Sequence, residues 1–263
     1  MIKLIASDLD GTLLLHGAQT LPEGTCELIH KLTEMGIIFV AASGRQYPNL
    51  RRLFAPVADE IGYICENGCM AFYKGKKIYK ETMDDHVAQV LMHDIWAEET
   101  SEVLLSGEDT SYIQPKKEDY LVLLRDVVKN NVTVVDDIFE KREEYFKISL
   151  YDEAGLDAIL PKWQGRYDDR LKVVVSGREW LDFMSKGVHK GLAIQRLQEY
   201  FGISPEECMA FGDNYNDIEM LQNVKYNYVM ENAPEEIKKT SQYVTSTVED
   251  VLKKIIDSGN TLY

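Results

Sequence analysis

Residues 2–6, Ile-Lys-Leu-Ile-Ala, form an almost unbroken apolar run that stops at Ser7-Asp8-Leu9-Asp10-Gly11-Thr12-Leu13. A short run of this kind reads as a strand buried on both faces, as in a parallel sheet. That reading commits the chain to an α/β architecture, because parallel strands need crossover connections that cover the faces of the sheet. Two carboxylates one residue apart then stand at the carboxyl end of the strand, where open α/β sheets hold ligands. Gly11 permits a positive φ in the exit turn, and the Thr12 hydroxyl can tie that turn down. The ordinary alternative is a turn that happens to be acidic.

The next elements repeat the pattern. Leu21-Pro22-Glu23-Gly24 opens a helix that runs through Met35, with Gly36 just past its end, the expected punctuation. Residues 37–42 are a second apolar strand ending in Ser43-Gly44-Arg45. In a strand–helix–strand crossover, Ser43 lies at the same edge of the sheet as Asp8. A hydroxyl beside a glycine suits a phosphate oxygen, although Ser43 serves equally well as a helix N-cap. A short basic helix is expected over 48–54 and a third strand over 62–65. Asn67-Gly68 reads primarily as a turn, followed by a hairpin (69–72 with 77–79) around Lys74-Gly75-Lys76.

Composition changes near Thr82. An amphipathic helix over 84–99 is followed by strands at 103–105 and 112–113, a helix over 117–129 and an acidic linking stretch. A strand (145–151), a helix (154–163), a strand (171–176) and Trp180-Leu181-Asp182-Phe183-Met184 complete the segment, which reads as an α+β module. No catalytic cluster is visible in it. His93, Tyr112, Gln114, Trp163 and Arg166 could touch a ligand, but each is more ordinarily packing or surface.

Gly187-Val188-His189-Lys190-Gly191 then leads into an apolar-faced helix. A lysine in the first turn opposes the helix dipole, which makes sense if Lys190 faces an anion; otherwise it is a solvated surface residue. Ser204-Pro205-Glu206-Glu207 has the capping-box pattern. Residues 208–211 form a short buried strand that ends in Gly212-Asp213-Asn214-Tyr215-Asn216-Asp217. Acids and amides directly after an apolar strand form a site rather than a plain loop, and the ladder of oxygen ligands of a calcium loop is missing. A strand at 228–230, a helix opened by Asn232-Ala233-Pro234 and a last helix over 248–256 follow.

Charge and cysteine usage narrow the class. The net charge of −15 disfavours a nucleic-acid partner, whose affinity rests on Lys and Arg at phosphates. A small anionic substrate stays compatible, because a bound divalent cation reverses the local field. Four scattered cysteines with no Cys-x-x-Cys pair read as reduced and cytosolic. No apolar run reaches the roughly 20 residues of a membrane helix. Met1-Ile2-Lys3 leads straight into the first strand, so no signal peptide is expected. The expected location is cytoplasmic.

Taken together, Asp8-x-Asp10-Gly11-Thr12, Ser43-Gly44-Arg45, Lys190 and Gly212-Asp213-x-x-Asn216-Asp217 resemble motifs I to IV of the haloacid dehalogenase-like superfamily, in order. Glu66-Asn67-Gly68 with its hairpin resembles the Cof-like branch. The 147 residues from Ser43 to Lys190 exceed one crossover, and the resemblance implies a class IIB cap inserted there. The implied fold is a Rossmann-like doubly wound parallel sheet (1–82 and 186–263) carrying an α+β cap (83–185). The implied activity is a Mg²⁺-dependent phosphatase of small phosphorylated metabolites. In it Asp8 is the nucleophile and Asp10 the general acid/base, while the Asp8 carboxylate, the Asp10 carbonyl and Asp213 hold the metal. Ser43, Gly44, Lys190 and Asn216 bind phosphate, and Thr12, Arg45 and Asp217 support them. An aspartate at position 10 selects phosphate-ester chemistry over dehalogenation. A phosphohexomutase of the phosphomannomutase type is the alternative; a non-catalytic phosphometabolite sensor fits less well, because both aspartates are kept.

Overall fold

The computed structural model describes residues 1–141 and 144–261, so the acidic linking stretch falls partly outside the described residues. The chain runs β1 (Leu4–Asp8), α1 (Thr25–Glu34), β2 (Ile38–Ala42), α2 (Tyr47–Leu53), β3 (Gly62–Cys65), β4 (Met70–Tyr73) and β5 (Lys76–Lys80). There follow α3 (Asp85–Trp96), β6 (Ser101–Ser106), β7 (Ser111–Ile113), α4 (Glu118–Val122), β8 (Val132–Val134), β9 (Lys147–Asp152), α5 (Leu160–Tyr167), β10 (Leu171–Val175) and β11 (Trp180–Ser185). The chain closes with α6 (Lys190–Phe201), β12 (Cys208–Gly212), α7 (Ile218–Gln222), β13 (Tyr226–Met230), α8 (Glu235–Lys238), β14 (Tyr243–Thr245) and α9 (Val248–Asp257). Two compact units result, Met1–Lys80 with His189–Tyr263, and Glu81–Val188.

The first unit is built on an eight-stranded sheet in the order β14-β13-β12-β1-β2-β3-β4-β5. Pairing is parallel from β14 through β3 and antiparallel at β4 and β5. The chain leaves β1 toward β2 and β3, then resumes on its other side with β12, β13 and β14. The switch point therefore lies between β1 and β12, where open sheets of this kind place ligands. Alternation along β1 sends Leu4 and Ala6 into a cluster with Ala193, Ile194 and Leu197 of α6 and Met220 and Leu221 of α7. On the opposite face α1 packs on β2 and on α9, and Phe39, Phe54 and Tyr63 meet ring to ring. Apolar side chains on both faces explain why the strands read as nearly continuous hydrophobic runs.

The second unit holds a six-stranded sheet, β10-β11-β9-β6-β7-β8, antiparallel except for the β7–β8 pair. One apolar cluster joins Leu91, Met92 and Ile95 of α3 and Trp163 and Tyr167 of α5 to Val103, Ile148 and Phe183 of the strands. A smaller one packs Tyr120 and Leu124 on Leu104 and Ile113.

The first strand starts and ends two residues later than expected, so that Asp8 itself is paired with Ala42 in the ladder. The helix expected over 117–129 is regular only to Val122 and continues as one wider turn through Val127. The helix expected over 154–163 forms over Leu160–Tyr167 instead; Gly155 at φ +93° and Pro161 at the helix start set its limits. Strands β8 and β14 were not expected. Each has only three residues and takes its conformation from a neighbour.

Gly191 shows how tightly α6 meets α7. A Cβ there would stand 2.4 Å from the Glu219 carbonyl oxygen. Helix propensity alone favours alanine by up to about 1 kcal/mol, but overpacking against backbone costs about 1–3 kcal/mol. Gly191→Ala is therefore expected to lower the urea midpoint without changing the m-value, and an unchanged or raised midpoint contradicts the packing argument.

Candidate active site

Because β1, β2, β3 and β12 are parallel, their carboxyl ends share one edge. Asp8 ends β1, Ser43 follows β2, Glu66-Asn67-Gly68 follows β3 and Asp213 follows β12. Lys190 enters from the first turn of α6. His189 caps that helix, its Nδ1 accepting from the Leu192 N–H at 3.0 Å.

The Lys190 ammonium is fully buried and lies 2.5 Å from Asp8 Oδ1 and 2.7 Å from Asp217 Oδ1. The other Asp217 oxygen accepts the backbone N–H groups of Asp213 and Asn214, both at 3.1 Å. Thr12 donates to Asp213 Oδ1 at 2.8 Å. Gly11, at φ +95°, passes so close that a Cβ would stand 2.2 Å from Asp213 Oδ2. Its carbonyl accepts from Asn232 Nδ2 at 3.0 Å.

Charge is unbalanced here. Burial, followed by the Asp217 charge, pushes the Asp8 carboxyl well above the usual carboxylate range against the pull of Lys190. Asp213 is also raised, chiefly by burial, with the Thr12 hydrogen bond opposing. Burial works to lower Lys190, but the Asp217 and Asp8 carboxylates outweigh it and hold the ammonium above its ordinary value. Asp8, Asp213 and Asp217 each offer an oxygen within 4.8 Å of the others'. Hard oxygen donors carrying surplus negative charge fit a small divalent cation. Both Asp217 oxygens already accept from donors, one from Lys190 and the other from the Asp213 and Asn214 N–H groups.

The other expected residues sit around this centre. Ser43 is buried, and its Oγ accepts from the Arg45 N–H at 3.2 Å. The following helix starts only at Tyr47, with Gln46 at its N-cap, so Ser43 is not that helix's cap. Arg45 grips the exposed Asp10 carboxylate twice, at 3.0 and 2.6 Å. Asn216 Nδ2 donates to Asn67 Oδ1 at 3.3 Å. Gly44 lies against the same Asn67 amide; a Cβ on Gly44 would be 3.1 Å from it.

Asn67 and Asn232 are the residues that sequence reading left out of the site. Asn67-Gly68 does turn the chain, but Asn67 is also buried among the site residues. The available signal was positional: any residue directly after a strand that runs parallel to β1 in this sheet reaches the same edge. Within the second unit, His93 stacks on Phe139, Trp163 lies in the apolar core, Arg166 pairs with Asp94 and Gln114 accepts from the Ile138 N–H. Each of these has an ordinary structural place, as does Tyr112, whose ring carries the Lys141 ammonium.

The chain belongs to the haloacid dehalogenase-like hydrolases, a family whose model matches residues 5–255. It is 30% identical over 265 residues to the Escherichia coli 5-amino-6-(5-phospho-D-ribitylamino)uracil phosphatase YbjI, covering 97% of this chain and 96% of that protein. An HMP-PP phosphatase of Cronobacter sakazakii is 28% identical over 235 residues (89% and 85%). A solved structure from Eubacterium rectale superposes with a TM-score of 0.87 at 29% identity, covering 97% of this chain and 99% of that one. The subclass IIB sugar phosphatase BT4131 shares the fold, with a TM-score of 0.80 at 24% identity over 98% and 99% of the two chains. The α/β fold and the Cof-like haloacid dehalogenase-like resemblance expected from the motifs agree with these matches. Among the described residues no helix is long and apolar enough to cross a membrane.

Three carboxylates against one ammonium make the metal-free site costly. A carboxyl whose folded pKa lies above its unfolded one destabilises the fold increasingly as pH rises through that range, and not at all below about pH 4. Asp8→Asn keeps an acceptor for Lys190 and removes one charge. In chelator at neutral pH it is expected to stabilise the protein by about 1–2 kcal/mol, roughly 2–4 °C per kcal/mol in Tm. A lower Tm than wild type contradicts the charge argument.

Proposed function

We propose that this protein is a Mg²⁺-dependent phosphatase of small phosphorylated metabolites that works through an aspartyl-phosphate on Asp8. The observation that carries the reading is the Asp8 carboxylate at the switch point, held 2.5 Å from a buried ammonium and within 4.8 Å of two further carboxylates. The named activities of the Escherichia coli and Cronobacter relatives point the same way.

An Asp8 oxygen attacks phosphorus and the bond from phosphorus to the ester oxygen breaks, which splits one hard displacement into two. Lys190 places a fixed positive charge at that oxygen and at the phosphoryl group. The Ser43 hydroxyl, the Gly44 backbone and Asn216 hold the phosphoryl oxygens. Asp10 gives its proton to the leaving oxygen, then takes one from the water that cleaves the aspartyl-phosphate. In the structure Arg45 occupies the Asp10 carboxylate, so Asp10 must exchange that partner for the leaving oxygen. The Asp8 carboxylate, the Asp10 carbonyl and Asp213 would hold Mg²⁺, which when bound supplies the charge that offsets repulsion between carboxylate and phosphate.

The test is phosphate release from a panel of phosphorylated metabolites with and without Mg²⁺. Release should require the metal and vanish in Asp8→Asn. Asp10→Asn should slow phosphate release from every ester by about 10²–10⁴-fold, while the first-turnover burst of p-nitrophenolate from p-nitrophenyl phosphate should survive, because nitrophenolate leaves without a proton and only the later attack of water needs Asp10 as base. Metal-independent release, or release that survives Asp8→Asn, sinks the reading.

A further inference from the structure

The segment after β3 is unusual for its backbone. Glu66, Asn67 and Gly68 take φ of +50°, +56° and +105° in succession, and all three are buried. Left-handed residues other than glycine cost on the order of 1 kcal/mol or more, asparagine least, and persist only where surrounding contacts impose them. Here the contacts are on the page. The Asn67 N–H donates to the Ser43 carbonyl at 3.0 Å, and the Glu66 N–H to the Arg45 carbonyl at 3.1 Å. The Asn67 amide lies on Gly44 and accepts from Asn216. Gly68 lies on the backbone of His189 and Lys190; a Cβ there would be 2.4 Å from the His189 carbonyl oxygen and 2.9 Å from the Lys190 nitrogen. One three-residue turn thus touches the Ser43 loop, the Asn216 loop and the start of the Lys190 helix.

We infer that Asn67 is a positioning residue for phosphate binding, its side chain setting the Asn216 amide and the Ser43-Gly44 loop at the distance a phosphoryl group requires. It acts through those groups rather than on the substrate. The inference rests on the phosphatase reading above for the identity of the bound group, and adds a residue to it. The chemistry suits asparagine at this position. A short amide tolerates the left-handed backbone and reaches Asn216 as an acceptor without bringing a charge beside the phosphate. Glutamine pays more for the backbone, and aspartate adds repulsion.

Asn67→Gly separates the two functions of the residue, since glycine keeps the positive φ and removes only the amide. The experiment compares wild type, Asn67→Gly, Asn216→Ala and the double variant, all with Mg²⁺. It reads affinity for inorganic phosphate by ³¹P NMR and kcat and KM for p-nitrophenyl phosphate. We expect Asn67→Gly to weaken phosphate binding by about tenfold, the scale of one hydrogen bond. Its loss should fall mainly on KM, and its Tm should stay close to that of wild type. The double variant should bind more weakly than Asn216→Ala alone by clearly less than the loss seen for Asn67→Gly in the wild-type background, because the part of the effect that passes through Asn216 is already gone. Equal phosphate affinity in wild type and Asn67→Gly, at whatever level, overturns the inference, as does strict additivity. A wild-type protein that binds phosphate but releases none from any ester sinks the phosphatase reading instead, while the affinity series still decides the role of Asn67.

Discussion

The Lys190 ammonium between Asp8 and Asp217 is the interaction on which the rest of the site depends. A fully buried cation is tolerable only when paired and hydrogen-bonded, and leaving it with no carboxylate at all commonly costs several kcal/mol. Both partners here are carboxylates from distant stretches of chain, one ending β1 and the other opening α7. The lysine therefore joins the two halves of the first unit at the carboxyl edge of the sheet. Asp217 extends the link by accepting the N–H groups of Asp213 and Asn214, which sets the loop that bears the third carboxylate. The geometry of the site and the closure of the fold share the same atoms.

That arrangement carries a cost which the chemistry explains. Burial and the Asp217 charge raise the Asp8 carboxyl against the pull of Lys190, and burial raises Asp213 in the same direction. A site that gathers more negative charge than its own lysine neutralises is unfavourable as plain structure and useful as a place for a divalent cation and a phosphoryl group. Glycines make the crowding possible. Gly11 and Gly212 let backbone pass within contact of Asp213 and Asp217, so the carboxylates are held by close packing as well as by hydrogen bonds.

Much of this was legible in the chain. Apolar runs marked the strands, and the acids, hydroxyl and amides that follow them share the carboxyl edge of the sheet, because side chains at the ends of parallel strands have few other places to go. Lys190 stood out as a cation against a helix dipole. Elements held by local signals, such as the Lys74-Gly75 hairpin turn and the Asp84-capped helix, formed as expected. Elements without them did not. β8 and β14 carry three residues each, too few for a pattern, and exist because β7 and β13 offer an edge to pair with.

Asn67 marks the boundary between the two kinds of information. Locally, Asn-Gly specifies a turn, and the chain does turn there. That the turn is buried, and that its amide meets Asn216 149 residues away, follows only from sheet order and from the seating of α6 against the end of β3. By itself the amino-acid sequence determined the kind of fold, the edge of the sheet where the strands end and the residue types gathered on it, since these depend on periodicity and on strand ends. Only the tertiary structure decided the pairings: Lys190 with two carboxylates, Arg45 with Asp10, Asn67 with Asn216. Each joins segments whose distance apart in space no local pattern records.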